Sequence, residues 1–220
     1  TQRIPMTGTD RKNLLKQYLP GIFAFVVVYL FATIFRDIRD NFSADMWKEM
    51  GYASRPAVFT ETETPITILI LVLIGAIVAI KNNFKALMVA HAFIIIGFII
   101  AGSSTYYFTQ KLLDPFWWMM LVGLGLYLVY IPFNSIFFDR LIAAFSMKGN
   151  VGFFIYVADS VGYVGSVTVM LVKEGMTLKI QWTSFFSQSV MLLSFVGVII
   201  TIYSIFYFNK KHKLPSTQTV

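Results

Sequence analysis

SQSVMLLSFVGVIITIYSIFYF, residues 187–208, holds no charged side chain, and Asn209-Lys210-Lys211-His212-Lys213 follows it at once. A helix rises about 1.5 Å per residue and the hydrocarbon core is roughly 30 Å thick, so about 20 apolar residues suffice to cross a bilayer. The run therefore predicts a membrane-spanning helix, and the lysines after it predict an anchor against anionic lipid. Towards the N-terminus the pattern recurs at residues 151–172, 116–138, 86–107, 65–80 and 19–35. The last two runs are short and reach full length by extending into flanking polar residues, by tilt or by local thinning of the bilayer. Six such runs predict an all-α, polytopic membrane protein with six transmembrane helices. The domain plan is a linker at 1–18, a six-helix membrane domain at 19–208 and a basic tail at 209–220.

Composition agrees with this plan. Of the 220 residues 57% are hydrophobic and only 13% charged, with 22 Phe, 11 Tyr and 4 Trp, far from the balance of a soluble domain. There is no cysteine, which excludes disulfides and thiolate metal sites. The first apolar run lacks a small-residue cleavage pattern after it and does not read as a signal peptide. The chain begins without methionine, and its basic lead Arg11-Lys12-Asn13-Leu14-Leu15-Lys16 reads as a linker entering a helix, so a piece of a longer protein is expected.

The net charge of +7 matters through its distribution rather than its total. With six spans both tails share a side. That side holds Arg3, Arg11, Lys12, Lys16, Lys81, Lys85, Arg140, Lys148, Lys210, Lys211 and Lys213, eleven basic residues against seven elsewhere, while most acidic residues lie on the other side. The positive-inside rule then places both ends in the cytoplasm, and no nucleic-acid partner is expected. The connection at 36–64 is read as a long outer loop, and the remaining connections are short enough to make sequential helices antiparallel neighbours.

Ionisable and polar residues at membrane depth are expensive and mark functional candidates. At about 100° per residue, Tyr29, Thr33, Arg36 and Asp40 fall on one stripe, with Arg36 and Asp40 read as an i,i+4 pair. This stripe predicts either a solute-cavity wall, with Arg36 open to an anionic group, or local pairing of headgroup-level charges. Asp159 lies inside the fifth run. Tyr156, Ser160 and Tyr163 are read as sharing its side, and Ala158, Gly162 and Gly165 as a small-residue packing face. Asp159 predicts a proton carrier or a latch between halves, with Tyr156 and Tyr163 beside it; the alternative is a hydrogen-bonded helix tie. In the fourth run Tyr127, Tyr130 and Asn134 are read as lining the path beside Pro132, whose missing N–H invites a kink; the alternative is that Tyr130 and Asn134 make interhelical hydrogen bonds. Asp139 and Arg140 are read as a cytoplasmic gate or as an interfacial pair.

Other signals are structural. Thr60 and Glu63 read as a capping box, or Thr62 as the cap with Pro65 in the first turn, and His91 as a satisfied core imidazole. Gly123-Leu124-Gly125 is no nucleotide fingerprint, because no strand precedes it. Enzyme readings fail: Ser103 and Ser104 have only His91 as a base within the membrane, and His-Glu-x-x-His is absent. No catalytic residue, metal site or cofactor is expected.

Phe35-Arg36-Asp37-Ile38-Arg39-Asp40-Asn41-Phe42, Ile131-Pro132-Phe133-Asn134-Ser135, Phe138-Asp139-Arg140-Leu141-Ile142-Ala143 and the segment at 150–166, which begins Asn150-Val151-Gly152-Phe153, resemble an uncharacterised bacterial family within the major facilitator superfamily, over nearly the whole chain. The resemblance implies the C-terminal half of a twelve-helix bundle in the cell's inner membrane, partnered by a missing N-terminal six-helix half. It implies a cavity lined by the first and fourth spans, with the second and fifth facing the missing half and the third and sixth facing lipid. The charged signature usual between the second and third spans is not reproduced, since residues 75–85 supply only a glycine and two lysines. The expected function is a secondary transporter working by alternating access on a small polar or anionic solute, coupled to protons; the competing class is a transporter-derived sensor or scaffold.

Overall fold

The computed structural model describes residues 8–145, 151–175 and 181–213, and among these every regular element is helical. In chain order they are α1 (Gly8–Glu49), α2 (Ala57–Val78), α3 (Asn83–Thr109), α4 (Pro115–Pro132), α5 (Phe138–Ala144), α6 (Val151–Gly175) and α7 (Trp182–Lys213). A π-helical turn at Phe133–Phe137 joins α4 to α5 into one rod, so the described residues form six rods. Five of them, Tyr18–Glu49, Ala57–Val78, Asn83–Thr109, Pro115–Ala144 and Trp182–Lys213, are long and apolar enough to cross a bilayer. The sixth, α6, has 25 residues, a length that also suffices. The chain is an all-helical integral membrane protein.

Helix α1 differs most from expectation. It begins at Gly8, inside the expected linker, and continues through the charged stretch to Glu49. Ile38, Arg39, Phe42, Met46 and Trp47 are all buried, so the 3.6-residue stripe persists past Phe35 and the outward charges simply occupy the other side. Only residues 50–56 remain as a connection, with Gly51 at φ +89° making its turn. The capping box is overturned for the same reason. Helix α2 starts at Ala57, so Thr60 and Glu63 lie within it; Thr62 bonds the Val58 carbonyl at 2.8 Å, and Pro65 is inside the helix. At the other end α7 runs on through Asn209 and Lys210 to Lys213, the first part of the expected basic tail, and 214–220 lie outside the described residues.

Sequence signals do set several other ends. Asn82 caps α3 by accepting from Lys85 N at 2.8 Å, and Asp114 caps α4 by accepting from Phe116 N at 2.8 Å, with Pro115 opening that helix. Glu49 reaches from the end of α1 to accept from Trp182 N at 2.9 Å and Thr183 N at 2.8 Å, tying α1 to the start of α7. Tyr52 donates to Asp114 at 3.1 Å, and burial, followed by this bond, raises its phenol above the ordinary value.

The α1 and α4 rods are the most buried of the five and pack on each other. α3 and α7 pack behind them, α6 lies on α1, and α2 lies on α4. Phe25, Phe133, Phe137, Phe208 and His91 form the aromatic centre, with Phe25 and Phe137 ring centroids 4.0 Å apart. His91 is the satisfied imidazole expected, its Nδ1 2.7 Å from the Leu87 carbonyl and its Nε2 3.4 Å from Ser204 Oγ. The α3/α4 crossing is made by glycines: a Cβ on Gly97 would lie 2.6 Å from the Gly125 carbonyl oxygen. Gly97→Ala is expected to cost about 1–3 kcal/mol as overpacking against backbone, read as an earlier melting transition in detergent.

Candidate functional site

Three helices bring the predicted polar residues together. Tyr29 on α1 is buried and donates its hydroxyl hydrogen to Asp159 Oδ1 on α6. The same hydroxyl oxygen accepts from Asn134 Nδ2 on the π turn at 3.5 Å, and Asn134 Nδ2 also donates to Tyr130 OH at 2.8 Å. Tyr29 and Tyr130 stack with centroids 5.5 Å apart. The Arg36 guanidinium lies 3.8 Å from the Tyr130 ring centroid, a cation–π contact. An unbroken line of contacts thus runs Asp159, Tyr29, Asn134, Tyr130, Arg36 across α6, α1 and α4.

The backbone explains how Asn134 reaches two tyrosines. Pro132 has no N–H, so the usual bond to the carbonyl four residues back is lost, and the chain opens into the π turn at Phe133–Phe137. Such insertions recur at functional sites because they re-aim side chains out of helical register. The expected kink is realised as this turn. On α6 the small-residue face behaves as expected: Ala158 is buried, Gly162 meets Thr33, and Gly165 meets Ile34.

Other expectations are redistributed. Arg36 does not pair with Asp40. Its Nε and Nη2 bond Asp37 Oδ1 at 3.0 and 2.5 Å, and Asp37 Oδ2 accepts from Ser166 Oγ on α6 at 2.5 Å. Adjacent residues on one helix point about 100° apart, but the long guanidinium folds back to its neighbour, and Asp37 is the carboxylate already facing α6. Arg36 is therefore not a free anion-binding group. Thr33 leaves the stripe as well: its hydroxyl is buried and donates to the Tyr29 carbonyl at 2.9 Å.

Asp40 belongs to a second cluster, centred on Arg39, only 2% exposed. Arg39 Nη2 bonds Glu63 Oε1 on α2 at 2.5 Å and the Met119 carbonyl on α4 at 3.1 Å, and Nη1 lies 3.3 Å from Asp40 Oδ1. Tyr127 donates to Asp40 Oδ2 at 3.2 Å. Gly123 leaves the room, since a Cβ there would overlap the guanidinium. At the far end of the rods Arg140 bonds Asn83 Oδ1 at 2.8 Å and the Val78 carbonyl at 3.0 Å, fastening the α2–α3 connection, while Asp139 is exposed. The two do not form the interfacial pair considered from sequence. Tyr156 and Tyr163 are 75% and 56% exposed and stand off the Asp159 network.

A family match running over residues 1–211 covers nearly all of this architecture. The chain belongs to DUF5690, a family of unknown function. No curated protein and no solved structure matches it. In this DUF5690 chain the residues to which sequence reasoning gave no site role are Asp37, Arg39, Ser166 and Glu63, the last read only as part of a cap. Arg39 carried a usable signal: it sits on the apolar stripe of Ile38, Phe42 and Met46, and a charge on a buried stripe needs a partner. Tyr29→Phe is expected to lower stability by about 1–2 kcal/mol, because Asp159 Oδ1 loses its donor and Asn134 one acceptor, measured by melting in detergent.

Proposed function

We propose that this DUF5690 chain is the C-terminal half of a secondary transporter of the major facilitator type, moving a small polar solute by alternating access. The supporting observation is the contact line from Asp159 through Tyr29, Asn134 and Tyr130 to Arg36. It joins three helices at membrane depth with an ionisable group at each end, which a bundle needing only to pack has no reason to maintain. Asp159 carries the coupling proton, Tyr29, Tyr130 and Asn134 contact solute, and the π turn after Pro132 lets α4 flex. Tyr156 and Tyr163 lie on the α6 face that meets an N-terminal six-helix half. The basic ends of the rods face the cytoplasm, in the cell's inner membrane.

The test is uptake by the full-length protein in proteoliposomes under an imposed proton gradient, across polar solutes of each charge class. Gradient-driven accumulation that disappears in Asp159→Asn supports the reading. If no solute accumulates and none protects the protein against heat, the polar line is only a helix tie, and a sensor or scaffold role takes its place.

A further inference from the structure

We infer that the solute bound at this site carries a positive charge, as an ammonium group whose N–H donors engage Asp159 Oδ2 and Asn134 Oδ1. The inference rests on the transport reading for the idea of a solute, whereas its charge follows from the side chains alone. Where α1 meets α4 and α6, two carboxyl groups (Asp37 and Asp159) accompany one guanidinium group (Arg36), and the neighbouring cluster sets Asp40 and Glu63 against Arg39. Both guanidinium groups are committed: Arg36 to Asp37, and Arg39 to Glu63 and Asp40. Asp159 has no ion-pair partner among the described residues, only the Tyr29 hydroxyl. An anionic solute would therefore find no uncommitted cation and would add a negative charge beside an existing excess, in surroundings that screen it poorly.

Hydrogen-bond capacity gives the same answer. The Tyr29 hydrogen is spent on Asp159, and the Asn134 amide nitrogen points at two tyrosine oxygens. Beside Tyr29 what remains is acceptor: Asp159 Oδ2 and Asn134 Oδ1 have no partner among the described residues. The donors left are the Tyr130 hydrogen and the Arg36 Nη1 hydrogens, and Asp37 already neutralises the guanidinium that carries the latter. An ammonium group offers donors and no acceptor, so it complements this set, and its bond to a carboxylate is charge-assisted. The Tyr130 hydroxyl suits a neighbouring oxygen on the same solute.

The test is thermal stabilisation of the full-length protein in detergent by three probes of one shape: ethanolamine, glycolamide and glycolate. Ethanolamine alone is expected to raise the melting temperature, and Asp159→Asn to abolish the shift. Asp159→Glu, which keeps the charge, and Asn134→Asp, which adds one, are expected to retain it, and this pair serves if Asp159→Asn does not fold. Stabilisation by glycolate or glycolamide without ethanolamine, or by none of the three, overturns the inference. Stabilisation by ethanolamine with no uptake into proteoliposomes keeps the charge assignment and overturns transport; uptake of an anionic or neutral solute does the reverse.

Discussion

Arg39→Met is expected to destabilise the bundle by about 2–4 kcal/mol, measured by reversible unfolding of the full-length protein in mixed micelles. The guanidinium is buried and joins Glu63 of α2, Asp40 of α1 and the Met119 carbonyl of α4. Removing one partner of a buried ion pair typically costs about 3–5 kcal/mol, because the remaining charge is stranded. Glu63 and Asp40 keep 40% of their side-chain surface exposed, so water recovers part of that loss. The double variant Arg39→Met/Glu63→Gln should then regain at least half of the lost stability, since neutralising the stranded carboxylate removes most of the penalty and leaves Asp40 with Tyr127. A single variant that melts like the native protein would mean that the cluster holds nothing together, and α2 would be positioned by its packing on α4 and α3.

The membrane rods were legible because apolar runs of sufficient length admit few other structures when every backbone N–H and C=O must be satisfied inside the chain. Their ends were less legible, for a reason that residues 36–49 make plain. Hydropathy loses the helix where charges begin, yet hydrogen bonding does not, and Phe42, Met46 and Trp47 continue to bury a stripe after the outward face has turned polar. The same charges concealed Glu63: read as part of a cap, it is the partner of a guanidinium 24 residues away.

Within the candidate site, sequence reading found the members more readily than the pairings. Tyr29, Tyr130, Asn134, Asp159 and Arg36 were each marked by polarity at depth, and the structure brings all five together. Helical spacing then suggested Arg36 with Asp40. Spacing knows only one helix, whereas Ser166 on α6 draws Asp37 towards Arg36, and Tyr127 with Arg39 draws Asp40 to the opposite side. Tyr156 and Tyr163 share a helix with Asp159 but not its neighbours, because α6 turns its small residues to α1 and leaves the tyrosines outside.

Asp159→Asn separates support of the fold from handling of charge. The carboxamide oxygen can still accept from the Tyr29 hydroxyl, so the α1–α6 contact persists and stability should change by less than about 1 kcal/mol. What is lost is the negative charge and the ability to take up a proton. Uptake driven by a proton gradient is therefore expected to fall by at least tenfold, equivalent to about 1.4 kcal/mol on the limiting step. Solute exchange without a gradient tells the two duties of the carboxyl group apart. If Asp159 only carries the proton, exchange survives in the variant while accumulation fails; if it also binds the ammonium group, both fail together. Ammonium and proton would then compete for one carboxylate, with Tyr29 on α1, Tyr130 on α4, Asn134 on the π turn and the Arg36–Asp37 pair surrounding it. Such competition makes transport an exchange of cation for proton, so an acidic lumen should drive the cation into proteoliposomes. Full accumulation by Asp159→Asn would remove this carboxyl group from the mechanism altogether.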